Sequence, residues 1–135
     1  PYLIGEAAKL PVPVGDFSTI EAAVADGSSE DMTQTIEQRE EDCKWSFLQV
    51  SEGKKTAETL YEYNLYDLDP KQVKYEASNK GVFVRIMTLK KEETINVYEN
   101  DEPGFANEMV WKMKSLSAAK QVAATLINLI EGCGE

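Results

Sequence analysis

Over residues 117–130 the apolar side chains recur at Ala119, Val122, Ala123, Leu126, Ile127, Leu129 and Ile130, with Leu116 just upstream. Lys120, Gln121, Thr125, Asn128 and Glu131 fall mostly on the other side. Spacings of three and four describe one face of an α-helix. Ser115 or Ser117 can accept hydrogen bonds from the free N–H groups of its first turn, and Gly132 suits a left-handed stop. A helix with such a stripe cannot bury it alone, so the upstream chain must cover it.

Upstream the period changes to two. Residues 44–50 place Trp45 and Phe47 on one face and Leu48 and Val50 on the other; residues 56–66 place Ala57, Thr59, Tyr61, Tyr63 and Leu65 opposite Glu58, Glu62 and Asn64. Residues 72–77 pair Val73 with Tyr75, and residues 94–99 pair Ile95 with Val97. Residues 82–89 are apolar on both faces and predict a central strand; residues 105–114 turn Met109, Trp111 and Met113 inward. Turn clusters separate these runs at 51–55, at the Asp67-Leu68-Asp69-Pro70 corner, at Ser78-Asn79-Lys80-Gly81, at 90–93 and at 100–104. Met32, Gln34 and Ile36 alternate as a strand, whereas 37–42 reads as a solvated helix or loop. Strands in succession followed by a helix predict an α+β domain. The expectation is one bent antiparallel sheet of six to seven strands in meander order, closed by the C-terminal amphipathic helix.

The first third reads differently. Pro11 and Pro13 disfavour both helix and central strand, so residues 1–16 predict an extended arm. Ser18-Thr19-Ile20-Glu21 matches a capping box and opens a short helix to Ala25, ended by Asp26-Gly27. The division expected is an acidic N-terminal arm over 1–42, carrying that helix and a first strand, and a core over 43–135, in one domain overall.

The chain has 135 residues, 42% of them apolar, enough for one real core. No uncharged apolar run approaches the roughly 18 residues a spanning helix needs. The chain opens on Pro1, which predicts a missing upstream piece; a removed signal peptide and a shortened chain read identically. Of the net charge of −10, residues 1–43 carry ten acids and two bases, or −8. A surface of that sign repels phosphate, so neither nucleic acid nor anionic membrane is an expected partner. Cys43 and Cys133 stand at the two ends of the expected core, where a disulfide between them would close a long loop; two unrelated thiols are the alternative.

The order of elements over 43–131 resembles the pleckstrin-homology-like superfold. The likeness rests on the strand running into Asp67-Leu68-Asp69-Pro70, the strands 82–89 and 94–99, and Ser115-Leu116-Ser117-Ala118-Ala119 entering the helix. The same order with a cysteine at each end also resembles uncharacterised modules of bacterial, largely exported proteins, which implies a periplasmic or secreted location, with the cytoplasm as the alternative. The chain departs from the lipid-binding branch: where those domains carry a basic first hairpin loop, this turn offers Lys54 and Lys55 beside Glu52. Such a superfold hosts many unrelated functions.

Candidate chemistry is sparse. With no histidine in the chain, Ser-His-Asp and Cys-His arrangements and an ordinary zinc site are excluded. No glycine run has the phosphate-cradling spacing. Asp67 and Asp69, two apart, would share a side of an extended segment as a carboxylate pair; the plainer reading is capping of backbone N–H groups at the corner. Glu99, Asp101 and Glu102, and separately Glu40, Glu41 and Asp42, are oxygen-rich clusters of the kind that hold calcium, without the full spacing of a known loop. Trp45, Tyr61, Tyr63, Tyr75, Tyr98 and Trp111 can pack the core or line a groove, and Tyr61 and Tyr63 lead into the Asp67 corner. The reading is a non-catalytic binding or accessory module for a protein, a peptide or a small apolar ligand, with ligand-binding candidates Tyr61, Tyr63, Asp67 and Asp69 and no cofactor. The alternatives are a carboxylate-based or calcium-dependent enzyme and a structural domain of a bacterial envelope assembly.

Overall fold

The computed structural model describes residues 5–6, 15–39, 43–53 and 55–133. Pro11, Pro13, Lys54 and the Glu40-Glu41-Asp42 cluster, on which expectations were placed, lie outside the described residues. In chain order the elements are β1 (Gly5–Glu6), α1 (Phe17–Asp26), β2 (Met32–Gln38), β3 (Lys44–Ser51), β4 (Ala57–Asn64), β5 (Leu68–Ser78), β6 (Gly81–Thr88), β7 (Ile95–Glu99), β8 (Glu102–Ala106), β9 (Glu108–Met113) and α2 (Leu116–Cys133).

The apolar stripe after Ser115 forms α2, and Ser115 caps it, its Oγ accepting from the Ala118 N–H at 3.1 Å. Ala119, Val122, Ala123 and Leu126 are fully buried against β5, β6 and β9. Two details differ from the sequence reading. Thr125, placed by the wheel on the polar side, is buried, and its Oγ1 accepts from the Gly15 N–H at 3.0 Å. Gly132 does not end the helix, which continues to Cys133, where a disulfide joins it to Cys43.

The chain is α+β and antiparallel, with a C-terminal helix, and its strands form two sheets, ordered β1-β5-β6-β9 and β2-β3-β4-β7-β8. The order is interleaved where a one-sheet meander was expected. After β4 a 3-10 turn over Leu65–Asp67 carries the chain across to β5, a second over Leu89–Lys91 returns it to β7 beside β4, and Asn107 sends it back to β9 beside β6. The corner therefore falls before Asp69-Pro70. Pro70 lies within β5, where the register with β6 slips between Leu68 and Val73, so its missing N–H costs no ladder bond. The expected loop at 100–104 is a two-residue hairpin turn: Asn100 (φ 49°) and Asp101 (φ 72°) both take the left-handed conformation of a type I′ turn, which Asn and Asp tolerate. That turn starts β8 at Glu102, earlier than the pattern around Phe105 indicates.

The N-terminal third contributes to this core. Asp16 caps α1, two residues before the expected Ser18: its carboxylate accepts from the Ser18 N–H while Thr19 Oγ1 accepts from the Asp16 N–H. The hydrogen bond from the Ser18 side chain is the main cause holding the Asp16 carboxyl below its ordinary range. Starting the helix there sets Phe17 edge-on against Trp45 at 4.9 Å and buries Ile20 and Val24 completely. From β2, Ile36 enters the same core, and Phe47 meets Trp111 of the other sheet at 6.0 Å.

Between the β2 and β9 edges there is no backbone ladder; the Gln34 side chain joins them. Its amide N–H groups donate to Lys112 O (2.8 Å) and Val24 O (3.0 Å), and its Oε1 accepts from the Lys112 N–H (2.8 Å). Gly27 permits that approach. A Cβ there would lie 2.0 Å from Lys112 O and 2.8 Å from Gln34 Nε2, although its φ of −74° suits any residue. Gly27→Ala is expected to destabilise by about 3 kcal/mol through overpacking alone. Urea denaturation checks this, and a loss under about 0.5 kcal/mol, the range of an ordinary surface change, would show that the backbone yields freely.

Candidate functional site

A cleft of about 630 Å³ opens where β2 and β4 end and β3 and β7 begin. Its walls follow from register. Gln38 lies opposite Trp45, Trp45 opposite Tyr63, Lys44 opposite Asn64, and Glu62 opposite Asn96. The Leu65–Asp67 turn adds Asp67 and the approach to β7 adds Thr94. Trp45 and Tyr63 make the floor, their rings edge to face at 6.5 Å and both buried. At the rim Arg39 and Glu62 form an ion pair of 2.9 Å, about half and a third exposed, worth little to stability at such exposure.

The polar atoms of the floor stand out. Tyr63 is 5% exposed and its hydroxyl has no hydrogen-bond partner among the described residues; the Thr94 Oγ1 is buried and equally without one. Both residues line this cleft. A buried hydroxyl without a partner costs about 1–3 kcal/mol, so two at one place call for water or a ligand. Burial pushes the Tyr63 phenol well above its ordinary range, keeping it protonated and able to donate. Trp111 Nε1 is also buried without a partner among the described residues, but Trp111 does not line this cleft.

Of the four ligand-binding candidates, Tyr63 and Asp67 meet in this cleft. Tyr61 does not line it: its half-buried ring stacks on Phe47 at 5.5 Å and borders a separate groove of about 310 Å³ with Glu99, Glu102, Gly104 and Phe105. Burial, and secondly the Glu99 charge, push its phenol upward. Asp69 is occupied locally, accepting from the Lys71 N–H at 2.9 Å. Period two does not carry from Asp69 back to Asp67 because Asp67 ends a 3-10 turn, so an extended-chain carboxylate pair does not form. Among the described residues no group of three or more acids and cysteines is placed to hold a metal ion. Thr94, Asn96, Glu62 and Arg39 were not anticipated as site residues. Thr94 and Asn96 reach the cleft through the pairing of β4 with β7, which spans two sheet crossings and leaves no local signal; Arg39 arrives at the end of β2, where its backbone N–H donates to Lys44 O, and meets Glu62 of β4.

Across the described residues, the fold and cleft define an α+β two-sheet domain with a polar pocket at one sheet end. No protein-family model, curated protein or solved structure matches the chain.

Proposed function

We propose that the protein is a non-catalytic binding module that holds a small polar ligand in the cleft over Trp45 and Tyr63. The observation that carries this reading is that two residues lining one cleft of ligand size, Tyr63 and Thr94, each hold a buried hydroxyl with no partner among the described residues. Both can donate to a ligand carbonyl or hydroxyl, and Asp67 and Asn96 offer acceptors beside them. The sequence pointed to a protein, a peptide or a small apolar ligand; this polar lining favours a small ligand with hydrogen-bonding groups. The Cys43–Cys133 disulfide supports an oxidising setting, periplasmic or secreted.

Tyr63→Phe separates this site from a packing role. Without ligand the variant loses only an unsatisfied hydroxyl, so its stability should equal or exceed that of the parent by up to about 1 kcal/mol. Its alkaline behaviour should also change. Folding raises the Tyr63 ionisation above that of the unfolded chain, so the parent keeps this stability below about pH 10 and loses it as pH rises further; Tyr63→Phe removes that share of the loss. A thermal-shift panel of monosaccharides, amino acids and dipeptides then tests binding. A compound that raises the midpoint of the parent and not of Tyr63→Phe supports the reading. It is overturned if Tyr63→Phe destabilises by several kcal/mol, or if every stabilising compound acts equally on both proteins.

A further inference from the structure

The two-residue turn at Asn100–Asp101 fixes how the far edge of the β2–β8 sheet presents itself. It makes Glu99 and Glu102 a hydrogen-bonded pair, and alternation makes Val97 with Gly104 the next. The backbone groups of Pro103 and Phe105 therefore point away from β7, along an edge where no further strand is paired among the described residues. Pro103 has no N–H to offer there, so Phe105 alone supplies both an outward donor and an outward acceptor. A proline at such a place limits indiscriminate pairing and leaves one short docking position.

The side chains around that position have a definite chemistry. On one face Glu99 and Glu102 stand directly opposite each other, an arrangement of like charges that costs stability unless a cation lies between them. Among the described residues neither carboxylate has an ion-pair partner. One row inward the Tyr61 ring sits opposite Val97, which faces Gly104, where the absence of a side chain leaves the groove open. A carboxylate pair at the mouth of a slot walled by an aromatic ring suits the stem and ammonium of a lysine. On the opposite face Phe105 is 68% exposed, an apolar contact for the next residue of a strand.

We infer that the β8 edge docks an extended peptide in which basic and apolar residues alternate. One basic side chain enters between Glu99 and Glu102 toward Tyr61, the neighbouring apolar side chain covers Phe105, and the peptide backbone pairs with Phe105. The net charge of −10 favours such a partner's approach. This surface is separate from the cleft over Tyr63 and stands independently of it.

The test is an NMR titration at low salt of the full chain with acetyl-Val-Lys-Val-Lys-Val-amide, following the backbone amides of β8. The expected result is saturable shifts centred on Gly104 and Phe105. Affinity should fall at least ten-fold for the norleucine-for-lysine peptide, for the Glu99→Gln, Glu102→Gln double variant and for Phe105→Pro. A peptide N-methylated at its central valine probes the backbone pairing without altering the protein, so the result holds even if Phe105→Pro misfolds. The inference is overturned if the peptide produces no shifts at millimolar concentration, if N-methylation leaves affinity unchanged, or if spermidine or calcium alone binds as tightly at the same amides, which would mark a cation site only.

Discussion

Cys43→Ser combined with Cys133→Ser is expected to lower the unfolding free energy by about 4–5 kcal/mol in the chain-entropy model, since the bridge closes a separation of 90 residues. Against a typical single-domain stability of roughly 5–15 kcal/mol, that is about a quarter of the total or more. The native state carries part of the same loss. The disulfide holds the end of α2 against the start of β3, where the Leu65 N–H donates to Cys43 O at 2.8 Å, and Lys44 and Trp45 of the cleft follow directly. Urea denaturation of the parent with and without reductant, beside the double variant, measures this. Coincident midpoints for oxidised and reduced parent would show that residual structure in the unfolded chain, or packing of α2 alone, already supplies the constraint.

Gln34→Leu keeps most of the volume and removes three hydrogen bonds, orphaning Lys112 O and the Lys112 N–H, while Val24 O keeps the Gly27 N–H at 3.2 Å. At about 1–3 kcal/mol for each of the two orphaned groups, with part of that relieved by water at the half-buried Lys112, the expected loss is about 2–4 kcal/mol. Gln34→Glu should fail similarly, because a carboxylate can accept from the Lys112 N–H but would set its charge against the carbonyl oxygens of Lys112 and Val24 and offer a donor to neither. Hydrogen exchange supplies a local readout: the Lys112 amide should lose protection first if the join between β2 and β9 opens on its own. A loss below 1 kcal/mol for Gln34→Leu would refute Gln34 as the element that joins the two sheets on this side.

Both positions show how far pattern alone reaches. Gln34 falls on the same alternation as Met32 and Ile36, so its inward direction was legible, but its partners are Val24 and Lys112, and the latter is 78 residues away. The same holds at the cleft. Tyr63 and Asp67 were singled out from the strand and turn that carry them; Thr94 and Asn96 join them only because β7 returns to pair with β4. Tyr61 and Tyr63 share a strand face but border different cavities, since along one face each step of two advances nearly 7 Å.

What this sequence determined by itself is what short-range physics sets. The helical stripe of α2, the inward faces of β4, β7 and β9, and the turn between β5 and β6 were readable, because burial selects period 3.6 or 2 within a few residues. Tertiary structure decided the partition of strands between two sheets, the continuation of α2 through Gly132 to Cys133, the burial of Thr125 and the gathering of unpartnered hydroxyls at one cleft. Each of these depends on which distant segment arrives opposite, and local periodicity carries no information about sequence separation. A period-two strand buries the same face in either sheet, so only the mutual fit of both sheets and α2 selects one topology.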